Sequence, residues 1–157
     1  PHRMLRRVRR TTWSLRPSMT APEIVAQMMR RDAFSQWLGV TVLVAEPGHC
    51  VLEARVRDET LNGFSIAHGG LTYSLADSAL AFASNGHGQH AVSIETSIAH
   101  LKPVAAGDIL TAEAVERHRS KTLGRYDVTV RRDGTDVAHF RGTVFFKDTP
   151  WQPEAHS

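Results

Sequence analysis

Residues 68–86 read His68-Gly69-Gly70-Leu71-Thr72-Tyr73-Ser74-Leu75-Ala76-Asp77-Ser78-Ala79-Leu80-Ala81-Phe82-Ala83-Ser84-Asn85-Gly86, and the fold turns on what this stretch must be. Its Ala and Leu content favours helix, the flanking glycines mark its ends, and apolar residues fall on nearly every face. Such a helix is buried, and a buried helix needs a cover. Its most apolar part, near 71–83, contains Asp77 and several hydroxyls and is too short to span a membrane.

The flanking sequence supplies the cover. Residues 22–38 place Ile24, Val25, Met28, Met29, Ala33, Phe34 and Trp37 at three- and four-residue spacings behind Pro22, which predicts one amphipathic helix. Residues 40–56 are β-rich and interrupted by Glu46-Pro47-Gly48-His49, as in a hairpin, and 58–67 are loop-like around Asn62-Gly63. After Gly88 come β-rich runs at about 91–101, 108–118, 123–132 and 136–147, the last two joined by Asp133-Gly134, a strong hairpin signal. Short connections between these runs favour antiparallel pairing. The expectation is an α+β fold in which a curved antiparallel sheet wraps a long central helix, not a βαβ dinucleotide fold.

A chain of 157 residues fits one domain, expected over 19–147 with a loose tail at 148–157. The net charge of +3 is unevenly spread: six arginines (Arg3, Arg6, Arg7, Arg9, Arg10, Arg16) and no acid lie in 1–18, leaving −3 on the rest. The domain thus has no basic footprint for nucleic acid. The arm reads as a targeting peptide, a nucleic-acid tail, or sequence upstream of a natural start at Met19-Thr20-Ala21-Pro22, and the last is expected. The single cysteine, Cys50, excludes an internal disulfide, fits a reducing cytosol and reads as packing.

Two features of the central helix carry chemistry. Asp77 is the only residue between His68 and His87 that is charged at neutral pH, and mid-helix it can cap neither end. An ionised carboxylate is costly to bury, so Asp77 is either functional or a hydrogen-bonded structural residue beside Ser74 and Ser78. At the helix start, Gly69 and Gly70 offer unobstructed backbone N–H groups at the positive end of the helix dipole. Together they suit acyl transfer, which needs donors for a developing oxyanion and a base or nucleophile at the same carbonyl. Eight residues of helix separate Gly69 from Asp77, about 12 Å. One carbonyl cannot reach both from one chain, so a shared site requires a two-fold dimer in which the partner's Asp77 faces this helix start.

The set Leu61-Asn62-Gly63, His68-Gly69-Gly70 and Ser74-Leu75-Ala76-Asp77-Ser78-Ala79 resembles the PaaI-type thioesterases of phenylacetate degradation. The likeness runs from about Asp32 to Lys147 and includes Leu101-Lys102-Pro103, Gly107-Asp108, Tyr126-Asp127 and Phe140-Arg141-Gly142. It implies a hotdog fold, a dimer with shared sites that pairs into a tetramer, and hydrolysis of acyl-CoA, coenzyme A being part of the substrate rather than a cofactor. It implies Asp77 as base or nucleophile, the Gly69 amide as oxyanion donor, and Asn62 and His68 as positioning groups. Gly70, Ser78, Lys102 and Lys121 are expected to bind substrate. Asn62 also reads as an Asn-Gly turn, and His68 as a helix-entry histidine bonded to backbone. Arg119 and Arg125 join Lys102 and Lys121 as phosphate contacts, although Arg117, Arg119 and Lys121 also read as a solvated strand edge. The segment Phe64-Ser65-Ile66-Ala67 is more apolar than in many relatives, which bears on the acyl pocket.

Thiolate leaves readily, so no metal is required, and His49, His87, His90, His100, His118 and His139 show no ligand pattern. Competing readings are an enoyl-CoA hydratase, whose Asp/His motif is not found, and a non-catalytic acyl-CoA-binding protein, against which Asp77 argues.

Overall fold

The computed structural model describes residues 19–155, so the readings of segment 1–18 fall outside the described residues. Helix α1 (Ala21–Arg31) starts at Thr20, whose side chain accepts from the Glu23 N–H, and carries Pro22 in its first turn. The single helix expected over 22–38 is broken at Asp32. This carboxylate accepts from the Ser35 N–H at 2.9 Å and the Ser35 hydroxyl at 2.6 Å, so it starts a second helix, α2 (Ala33–Leu38). The new cap resets the helical phase. Ser35 and Leu38 turn inward, while Phe34 and Trp37, expected on the apolar face, are 55% and 49% exposed.

The hairpin β1 (Thr41–Glu46) and β2 (His49–Arg55) leads through a short 3-10 turn, Asp58–Thr60, to helix α3 (Gly69–Asn85). Strands β3 (Gln89–His100), β4 (Ile109–Arg119), β5 (Leu123–Arg132) and β6 (Thr135–Pro150) follow. All six strands form one antiparallel sheet in the order β1-β2-β4-β5-β6-β3. Asp133 and Gly134 both take positive φ, 50° and 74°, as the two-residue turn between β5 and β6 requires.

The sheet wraps α3 as expected, the hotdog arrangement. Leu75, Ala76, Ala79, Leu80 and Ala83 are fully buried against Leu52, Ala112, Val128, Val130 and Val144. Contact is close enough that a β-carbon on Gly142 would lie 2.7 Å from the Leu80 side chain. One stripe of α3 is left uncovered: Gly70 is exposed, and Tyr73, Ser74, Asp77, Ser78 and Ala81 are only half-buried.

A loose tail is expected over 148–157, but residues 148–154 are held in place. Strand β6 continues to Pro150 because β3 pairs it as far as Gln89. Trp151 then donates from its ring nitrogen to the Asn85 side chain at 2.9 Å, and Glu154 meets Arg30 and Arg31 of α1. Cys50 is buried and its thiol pushed up to about 12 by that burial, as a packing cysteine should be.

The C-terminal end of α3 is clamped by polar groups. The Gly48 N–H donates to the Ala83 carbonyl, and the Glu116 carboxylate accepts from the fully buried Tyr126 hydroxyl at 2.7 Å and bonds the His87 ring. Burial pushes the Glu116 carboxyl up, but the bonds from Tyr126 and His87 outweigh it and hold the group below its ordinary range. Glu116→Leu leaves the Tyr126 hydroxyl buried without an acceptor, and urea unfolding should show a loss of about 2–3 kcal/mol.

Candidate active site at the start of the central helix

The backbone entering α3 is held from both sides. His68 donates its N–H to the Thr60 carbonyl and Ala67 donates to Val104, which pins the loop against the turn before it and the strand connection after it. The His68 ring then turns back over the helix start, where its Nδ1 accepts from the Gly70 N–H at 2.8 Å. In that bond Nδ1 is the acceptor and so bears no proton. It also engages the Gly70 amide, expected above to bind substrate. The Gly69 N–H has no partner among the described residues, so it is the open donor at the positive end of a 17-residue helix.

Asn62 serves the loop and the groove together. Its side-chain oxygen accepts from the Phe64 N–H at 2.9 Å and the Ile66 N–H at 3.5 Å, while its backbone closes on Ile66 and Ser65. The turn reading is therefore correct. It leaves the side-chain NH2 with no protein partner among the described residues, in a groove of ≈ 420 Å³ that Asn62 lines together with Gly69 and Lys102. Thr72 and His100 line the same groove.

A second groove of ≈ 290 Å³ lies on the other side of the helix start, lined by Phe34, Trp37, Leu61, His68, Gly70 and Ser74 among others. Phe34 and Trp37 pack at 6.0 Å between ring centroids, with the Arg57 guanidinium 5.0 Å above the Trp37 ring. Neither aromatic was picked out from the sequence as a site residue. A single helix through 22–38 puts them on the buried face, and only the Asp32 cap, visible as Asp32-x-x-Ser35, turns them outward.

Asp77 is half-buried on the uncovered stripe and has no hydrogen-bond partner among the described residues. Burial pushes its carboxyl above the usual carboxylate range, and the charge of Asp32 pushes it the same way. Neighbouring Ser78 is not free: the Ser35 hydroxyl proton goes to Asp32, so Ser78 donates to the Ser35 oxygen at 2.8 Å and ties α3 to α2.

Asn62, Gly69 and Lys102 are thus brought together, and Asp77 stands apart along the same rigid helix. Lys121 is further still. It follows β4, which starts beside the helix entry and ends beside the Gly48–Ala83 clamp, roughly 35 Å of strand away. Arg117 pairs with Asp127 at 3.0 Å, and Arg119 lies 4.9 Å over the Phe146 ring. Among the described residues, no three His, Cys, Asp or Glu side chains converge as a metal site needs, and no helix is long and apolar enough to cross a membrane.

The profile of the thioesterase superfamily matches residues 64–139, from the Phe64 loop through β3 and β4 to β6. Acyl-coenzyme A thioesterase PaaI of Escherichia coli (strain K12) is 40% identical over 116 residues, 73% of this chain and 83% of that protein. The solved structure of the E. coli PaaI protein, from the phenylacetic acid degradation operon, superposes with a TM-score of 0.81 at 36% identity, covering 83% of this chain and 95% of that one. The structure of smu.793 from Streptococcus mutans UA159, bound to acetyl CoA, superposes with a TM-score of 0.69 at 30% identity, covering 71% and 91%. An open amide at the start of a sheet-wrapped helix, in a chain with this degree of identity to such relatives, identifies it: the chain belongs to the thioesterase superfamily, among its PaaI-type members.

Proposed function

We propose that the chain hydrolyses an acyl-CoA thioester to free acid and CoA, with the Gly69 N–H and the Asn62 side-chain NH2 receiving the carbonyl oxygen. The observation that carries this reading is the convergence of those two unengaged donors in one groove, with Lys102 there for the CoA phosphates. The acyl group lies in the neighbouring groove, where Phe34 and Trp37 offer aromatic walls, which favours aryl substrates of the phenylacetyl or hydroxyphenylacetyl kind. The reaction as proposed needs no metal or cofactor, since the substrate brings its own leaving group. The proposal includes a cytosolic location, which a single cysteine with no disulfide partner in the chain supports.

The carboxylate comes from a second copy. Strand β3 is a sheet edge, and Val92, Ser93, Ile94 and Glu95 are exposed in sequence, so neither face is covered over that stretch. Edge-to-edge pairing of two β3 strands about a two-fold axis would set the uncovered stripes of the two α3 helices antiparallel, with the partner's Asp77 facing the Gly69 amide. The same operation carries Lys121 towards the partner's helix start, so any phosphate contact it makes is across the interface. Asp77 then acts by activating water, or by attacking the thioester itself to give a mixed anhydride that water cleaves. Pairing of two such dimers into a tetramer completes the proposal and is read by solution mass.

Thiol release from phenylacetyl-, hydroxyphenylacetyl-, benzoyl- and straight-chain CoA esters tests the reading. The aryl esters should be preferred, and Asp77→Asn should lower kcat at least about 10²-fold. Undiminished activity in the variant would sink the assignment of Asp77.

The raised Asp77 carboxyl fixes the sign of the pH dependence, because only the carboxylate works. The acid limb of kcat/KM should lie above the ordinary Asp range near ~4, activity falling as pH drops through it. Asp32→Asn keeps the α2 cap but removes the neighbouring charge, so the limb should move to lower pH; an unmoved limb would detach it from Asp77.

Sharing of sites is tested by mixing Asp77→Asn with Gly69→Pro protein. Each hybrid dimer has one intact site, so a 1:1 mixture should recover about one quarter of native activity. No recovery despite demonstrated subunit exchange would exclude a shared site.

A further inference from the structure

We infer that His100 is a further catalytic residue of this site, delivering a proton from its Nε2 to the sulfur that leaves the thioester. The inference rests on the thioesterase reading above and adds a group that the sequence had placed among the scattered histidines.

His100 ends β3, and its ring edge lies against the α-carbon of Gly69. A β-carbon on Gly69 would stand 3.1 Å from His100 Nε2 and 3.3 Å from Cε1. The ring is held from behind. Thr72 donates its hydroxyl proton to the Gly69 carbonyl at 3.1 Å, so its oxygen is left to accept from the His100 Nδ1–H at 3.3 Å. With Nδ1–H anchored, Nε2 is the working nitrogen: the imidazolium form carries the transferable proton there, and Nε2 has no partner among the described residues. It shares the groove with Gly69, Asn62 and Lys102. A thioester whose carbonyl oxygen sits on the Gly69 N–H has its sulfur two bonds from that oxygen, beside the glycine and within reach of Nε2. His68 cannot take this part because it lines the groove on the opposite side of the helix start.

The proton balance closes. As water attacks, its oxygen bonds the carbonyl carbon and its proton passes to the partner's carboxylate. When the carbonyl re-forms, the carbon–sulfur electron pair leaves on sulfur, which takes the Nε2 proton and departs as free thiol. The imidazole, exposed at the strand end, regains a proton from bulk water, and the carboxylic acid returns its own. Imidazole suits this cycle because it exchanges protons near neutrality, whereas an alkyl thiol of pKa about 8.5 is a poorer anion to expel.

The decisive experiment varies the leaving group. The CoA ester and the p-nitrothiophenyl ester of one acyl group are compared, the latter expelling a thiolate that needs no proton. His100→Phe keeps a ring against Gly69 and should lower kcat on the CoA ester about 10²-fold while changing the aryl thioester less than about threefold. His100→Gln, which can hydrogen-bond but not transfer a proton, should behave as the Phe variant does. Equal losses on both esters would overturn the inference in favour of a packing role. So would restoration of CoA-ester hydrolysis by Gln, or an unimpaired Phe variant. Native protein that cleaves neither ester would instead bring down the thioesterase reading itself.

Discussion

A single sheet can enclose most of a helix but not all of it. The apolar surface of α3 demands burial, six strands supply it, and the geometry of wrapping leaves one stripe from Gly70 to Ala81 without a cover. Every other feature is arranged about that stripe. The α1–α2 pair closes part of one side through Ser35 and Ser78, the loop at Asn62 closes the N-terminal end, and the clamp of Gly48, Glu116 and Tyr126 closes the C-terminal end. Asp77 stands where the cover is missing, so it is desolvated enough to be perturbed and open enough to meet a substrate.

The N-terminal end shows how few atoms define the chemistry. Two adjacent glycine amides start the helix, and one imidazole takes the second, leaving a single donor aimed outward. The Asn62 side chain is divided in the same way, its oxygen spent on the loop and its nitrogen left over. Structural and chemical roles are not alternatives at these residues: the bond that holds the loop is what orients the free group.

Much of this was legible in the sequence because it is local. The limits of α3, the Asp133-Gly134 turn and the β5 boundaries follow from composition and turn chemistry within a few residues. The misreadings are of two kinds. Asp32 interrupts an apolar repeat that looks continuous, and a cap outweighs periodicity because it satisfies amides that periodicity does not see. The extension of β6 to Pro150 and the placement of His100 on Gly69 depend on pairing and packing between segments far apart in the chain, to which no local pattern refers. The candidate site divides along the same line. Gly69, Asn62 and Asp77 stand in a recognisable spacing, whereas Phe34, Trp37, Thr72 and His100 are assembled only by folding.

One consequence lies in the continuity of α3. Seventeen residues without a break form a rod that carries an amide at one end and a carboxylate midway along. In the proposed two-fold pair each rod would belong to both pockets, so any shift that seats a substrate against its tip would also move the acid serving the other pocket. The two occupancies would then be thermodynamically linked, and such a linkage is reciprocal: whatever factor the first ligand imposes on the second, the second imposes on the first.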